Sequence, residues 1–135
     1  MVKASIFKEN YGMNGIKILA DTNAIIYHLA GNDKLEAVLN NNLVYISAIT
    51  YTELLSKQLA SNEEIVLKDY LNALHIIHTN DIICEIAADL RKSYKIKLPD
   101  AIIAATCFFL NLPLVTFDEI FFKIDDLKIL KLSLE

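Results

Sequence analysis

Glycine is scarce in this chain: Gly12, Gly15 and Gly31 are the only three in 135 residues. Dinucleotide turns of the GxGxxG type and Walker loops need closely spaced residues without Cβ against the phosphates, so nucleotide-loop enzymes are disfavoured. Cysteine is equally sparse. Cys84 and Cys107 lack CxxC spacing, sit in apolar helical sequence and read as small buried hydrophobes, which fits a reducing cytoplasm. The longest apolar run, 101–117, is broken by Thr106, Asn111, Pro113 and Thr116 and falls short of a membrane span. The first fifteen residues carry Lys3, Lys8 and Glu9 and no hydrophobic middle of a signal peptide, so 1–15 reads as an N-terminal extension or arm. Positive charge is short as well: 13 Lys plus Arg against 17 Asp plus Glu give a net charge of −4 and no global attraction for nucleic acid.

Apolar residues, by contrast, make up 54% of the chain and charged residues an ordinary 22%, which excludes disorder and fits one domain with a substantial core. Short apolar runs without polar alternation (Ile16–Ala20, Leu43–Ile46, Leu74–Ile77, Leu114–Phe117, Leu127–Leu132) read as strands buried on both faces. Between them, apolar residues at helical spacing predict helices over 23–30, 34–39, 48–60, 63–72, 82–94 and from Pro99 to Leu110. Gly31 and Asn111 suit helix exits, Ser47 suits a helix start, and Thr79, Asn80 and Asp81 all offer capping oxygens to another. No hairpin turn signal separates the strands. The pattern is α/β: a single domain over 16–135 with a central parallel sheet of four to five strands and helices on both faces.

In such a sheet the functional crevice lies beyond the carboxyl ends of the strands, and the polar residues there are mostly acidic. Asp21 ends the first strand, Glu53 follows the second, Asp100 opens the helix after Pro99, and Asp118 ends the fourth strand. Singly, each has an ordinary explanation as a helix cap, a dipole partner or a solvated side chain. Together, carboxylates without His or Cys form a hard oxygen site suited to Mg²⁺ or Mn²⁺ and to metal-assisted attack of water on a phosphodiester. His28, His75 and His78 have no zinc-site spacing and are given no chemistry, and no GxSxG elbow supports acyl transfer. Arg91, Lys92, Lys95 and Lys97 form a local basic run, which is either a solvated helix end or a contact for a phosphate backbone.

The stretches ILADTNAIIYHL, SAITYTELL and LPDAIIAATCFFLNLPLVTFDEIF carry these acids in an order that resembles PIN-domain ribonucleases, more narrowly the VapC-type toxins of toxin-antitoxin pairs. The resemblance implies a cytoplasmic, Mg²⁺- or Mn²⁺-dependent endoribonuclease with no membrane association. It would act on an RNA substrate, form a homodimer and be held inactive by a cognate antitoxin. Carried over by position, Asp21, Asp100 and Asp118 look like the metal ligands. Glu53 looks like the acid that helps orient water, and Thr116 like the hydroxyl that fixes the site. Asn23 matches a supporting polar position, although a helix cap explains it as well. Two departures from relatives are the arm at 1–15 and Asn111 where Gly is common.

Two other readings remain open at the level of sequence. A receiver-like phospho-acceptor module shares the strand count and the acids at strand ends, but Asp21 is followed by Thr22 and Asn23 rather than by a second acid. A catalytically idle PIN-fold interaction protein would not need all four acids.

Overall fold

The computed structural model describes residues 15–132. The element order is β1 (Lys17–Ala20), α1 (Thr22–Leu29), α2 (Asp33–Asn40), β2 (Leu43–Ser47), α3 (Ala48–Leu55), α4 (Ser61–Asn72), β3 (His75–Ile77), α5 (Asp81–Ser93), α6 (Leu98–Leu110), β4 (Leu114–Thr116), a 3-10 turn (Glu119–Lys123) and β5 (Ile129–Lys131). The sequence-predicted arm lies outside the described residues save for Gly15, whose N–H donates to the Asn41 carbonyl at 2.8 Å.

All five strands pair in parallel in the order β3-β2-β1-β4-β5. The chain leaves β1 toward β2 and β3, then crosses back to lay β4 on the other side of β1. That reversal opens a crevice at the carboxyl ends of β1 and β4, where ligands bind in open parallel sheets. The alternating strand side chains feed two cores. Leu19, Leu114 and Ile129 pack with Ala101, Ala104 and Ala105 of α6 and Ile83 of α5. Ile18, Ala20, Ile46, Val115 and Leu130 pack on the opposite face with residues of α1 to α4. Both faces are thus covered, as the apolar runs require. Among the described residues no helix is long and apolar enough to cross a membrane.

Local chemistry sets the boundaries. Asn32, Ser47 and Asn80 accept backbone N–H bonds at the starts of α2, α3 and α5. Asn111 leaves α6 in the left-handed conformation at φ 54°, and Gly31 follows α1 at φ 91°. On the α1–α4 face, His28 meets the Tyr70 hydroxyl through Nδ1 at 2.6 Å and Glu36 through Nε2 at 2.8 Å, joining three helices.

Two expectations need correction. The helix expected to run to residue 60 ends at Leu55 with Ser56 as its C-cap, and after residues 56–60 the next helix starts where the Ala60 N–H donates to Glu63 Oε1 at 3.1 Å. Cys84, expected to be buried, is exposed on α5, whose inward residues are Ile83 and Ala87; Cys107 is buried as expected, and burial pushes its thiol pKa far up.

Candidate active site

Asp21 stands where β1 becomes α1. Its N–H belongs to the sheet, donating to the Val115 carbonyl at 3.2 Å, and its Oδ1 caps α1 by accepting the Ala24 N–H at 2.8 Å. The other oxygen, Oδ2, accepts from the Thr116 hydroxyl at the end of β4. Thr116 Oγ1 in turn accepts the Asp118 N–H at 2.9 Å. One hydroxyl therefore uses its proton on the first acid and a lone pair on the backbone of the fourth, setting the two in register across the crevice. Asp118 Oδ1 accepts the Ile120 N–H at 3.0 Å and so also caps the 3-10 turn.

Glu53 is reached through two threonines that sequence reasoning passed over. The Thr22 hydroxyl donates to Glu53 Oε1 at 2.6 Å, and Thr50 Oγ1 lies 3.0 Å from Thr22 Oγ1. A carboxylate only accepts, so Thr22 spends its single proton on Glu53 and Thr50 is the donor to Thr22. The available signals were position alone: Thr22 follows Asp21, and Thr50 precedes Glu53 by one helical turn.

Asp100 lies in the first turn of α6, where the helix dipole favours a carboxylate, and Ile103 follows it by one turn. Asp21, Thr22, Asn23, Glu53, Asp100, Ile103 and Asp118 line a single pocket of about 120 Å³. The four predicted acids thus come together although they arise from β1, α3, α6 and the segment after β4. Asn23 borders the pocket, but the cap of α1 is Asp21, so the capping alternative for Asn23 does not hold. The basic run at 91–97 lies outside the pocket's lining.

The acids share one electrostatic field. Asp21 is only 3% exposed, and burial, with smaller contributions from Asp118 and Asp100, raises its pKa to about 6 against the hydrogen bonds from Thr116 and Ala24. The half-buried Asp100 is also raised, first by burial and then by Asp118 and Glu53, while Lys97 pulls it back down. Like charges held together in this way favour a proton or a cation among them. Among the described residues no three His, Cys, Asp or Glu side chains are placed to grip one ion together. A Mg²⁺-type ion nonetheless fits the donor chemistry, since it takes oxygen ligands, keeps several waters and needs only one or two carboxylates.

The role of Thr116 can be isolated. Every buried side-chain polar atom among the described residues has a partner, and Thr116→Val would remove one from Asp21 Oδ2. Urea unfolding should show a loss of about 1–3 kcal/mol at pH 7. The loss should shrink below pH 6, where the carboxyl of Asp21 is protonated and its unpaired oxygen costs less.

Comparison with known proteins places this geometry. The PIN domain model matches residues 18–127, a span that holds all four acids. Ribonuclease VapC6 of Methanocaldococcus jannaschii is 33% identical over 110 residues, which are 79% of this chain and 67% of that protein. A chain of a toxin-antitoxin complex from Klebsiella pneumoniae superposes with a TM-score of 0.74 at 31% identity, covering 83% of this chain and 94% of its own length. VapBC2 from Rickettsia felis, solved with a DNA fragment from its promoter, gives a TM-score of 0.74 at 25% identity over 87% of this chain and 100% of that one. A parallel sheet with four acids at its switch point, matched over most of its length by one family model, makes this chain a member of the PIN domain family.

Proposed function

We propose that the protein is a metal-dependent endoribonuclease and the toxin of a toxin-antitoxin pair. The observation that carries the reading is the convergence of Asp21, Glu53, Asp100 and Asp118 on one small pocket at the carboxyl edge of the sheet. The ribonuclease name of the Methanocaldococcus jannaschii relative and the toxin-antitoxin titles of the structural relatives support it.

In this reading Mg²⁺ or Mn²⁺ would sit among Asp21, Asp100 and Asp118, with one or two of them as direct ligands, and would supply charge neutralisation at the phosphate and an acidified water. The chain's own residues set up that chemistry. Thr116 fixes the orientation of Asp21 and the backbone position of Asp118. Thr22 and Thr50 hold Glu53 facing the pocket, where its exposed carboxylate can orient water or take its proton. Asn23 edges the same pocket as a supporting polar group.

The partner in this reading is a cognate antitoxin. In its support, a separate groove of about 510 Å³ between α1, α3 and α4, lined by Ile26, Leu29, Leu54, Leu59, Val66 and Leu67, is apolar enough to call for a cover. A homodimer belongs to the same reading, and sedimentation equilibrium on the purified chain checks it.

The direct test is metal removal. Purified protein should cleave single-stranded RNA with Mg²⁺ or Mn²⁺, lose that cleavage in excess EDTA and regain it when either ion is restored. Cleavage that persists in EDTA would overturn metal dependence, and labelling of Asp21 by acetyl phosphate would favour a phospho-acceptor instead.

A further inference from the structure

The basic run singled out in the sequence is rearranged by the fold. Lys92 turns to Asp89 at 3.8 Å on the outer, exposed face of α5. Arg91 folds over the α5–α6 turn, its Nε donating to the Ile96 carbonyl at 3.4 Å. A cation distant in sequence joins them: Lys123, at the end of the 3-10 turn, donates through Nζ to the Lys95 carbonyl at 3.3 Å. A second tie, from the Asp125 N–H to the Tyr94 hydroxyl at 3.1 Å, holds the same two segments together.

The position of this seam follows from its flanks. The 3-10 turn that ends in Lys123 begins from Asp118, and the turn bearing Lys95 and Lys97 runs directly into the first turn of α6, which bears Asp100. Lys97 is close enough to act on Asp100. Arg91, Lys95, Lys97 and Lys123 are all exposed, and none makes an ion pair among the described residues, although Asp125 and Asp126 follow on the same segment. A chain with net charge −4 thus carries four exposed cations outside any ion pair among the described residues, on the segments that flank Asp100 and Asp118.

We infer that Lys123, with Lys95 and Lys97, forms a cationic lip that positions the sugar–phosphate backbone of single-stranded RNA next to the acidic pocket. Lys123 is a positioning residue of this lip. The inference rests on the ribonuclease reading and adds to it the strand's point of entry. The carbonyl of Lys95 occupies one of the three ammonium protons of Lys123, leaving two for phosphate oxygens. Carboxylates alone would repel the substrate, so cations on the segments that flank Asp100 and Asp118 but outside the pocket's lining let the strand approach without neutralising the site.

The test uses full-length protein, a fluorogenic oligoribonucleotide that the wild type cleaves, and a fluorescein-labelled oligouridylate for binding by anisotropy in EDTA. Lys123→Ala should raise KM about three- to tenfold with kcat within about twofold, and Lys123→Arg should restore KM. The double variant Lys95→Ala/Lys123→Ala should flatten the plot of log affinity against log salt by about 1.4, about 0.7 for each lost cation on a single strand. Lys68→Ala, which removes a cation paired with Glu64 on α4, should change neither. Unchanged KM and salt slope in an enzyme that still cleaves would overturn the lip and leave the ribonuclease reading standing. Wild-type protein that binds the oligouridylate with the expected salt slopes but cleaves nothing would keep the lip and overturn the reading.

Discussion

Asp21→Asn should unfold at a higher urea concentration than the parent chain in metal-free buffer at pH 7 and yet, with Mg²⁺ restored, cleave RNA at least about a hundredfold more slowly. The opposite signs have one source. Burial pushes the Asp21 carboxyl pKa up to about 6 from its ordinary 3.8, so the folded chain holds the proton more tightly than the unfolded one. Stability from this group is complete below about pH 3.8, falls as the pH rises toward 6, and is then lower by a constant amount on the order of 3 kcal/mol. An amide keeps the acceptor for the Ala24 N–H but presents a donor to Thr116, whose proton must then find another acceptor. The net gain is therefore expected to be about 1–2 kcal/mol rather than the whole. It should vanish at pH 4. Urea curves with EDTA at the two pH values read the effect directly, and a variant less stable than the parent at pH 7 would show that burial does not strain this carboxylate.

Asp100→Asn is expected to remove cleavage by a similar factor with almost no change in stability. Two small contributions oppose each other at this position. The carboxylate gains about 0.3–1 kcal/mol from the N-terminus of α6, while burial, then Asp118 and Glu53, raise its pKa and so disfavour its charge. The substitution forfeits both, so thermal melting should stay within a few degrees of the parent. Undiminished cleavage by a folded Asp100→Asn protein would remove this residue from the site and expose a contaminating nuclease as the source of activity.

The order of strands and helices was legible because the parallel sheet is buried on both faces and its apolar runs carry no alternation. Asp21, Asp100 and Asp118 were legible because each ends a strand or opens a helix, and Glu53 because it lies about two turns beyond the second strand. The end of α3 was not, since Lys57, Gln58 and Ala60 are good helix formers, and the cap that starts α4 is a bond between the Ala60 N–H and the Glu63 side chain that the composition of the stretch does not mark. The 3-10 turn after β4 is too short to show a period, although the cap that Asp118 offered as its ordinary explanation is made there alongside its place in the pocket. Thr22 and Thr50 escaped notice because a threonine in a helix carries no mark of what its hydroxyl will meet across two elements. Lys123 was missed for the same reason, its partner lying 28 residues away.

The placement of β1 between β2 and β4 also bears on how the protein is made. Asp21 is among the early residues to be synthesised, yet the hydroxyl that holds its second oxygen is 95 positions later in the chain. Helices α1 to α4 and the β1–β2–β3 half of the sheet can assemble during translation, but the pocket closes only after β4 has emerged and docked. For an enzyme that destroys RNA, this ordering is protective. The nascent polypeptide is inert through most of its synthesis on the ribosome, and a product released before Thr116 carries three of the four acids without an active site.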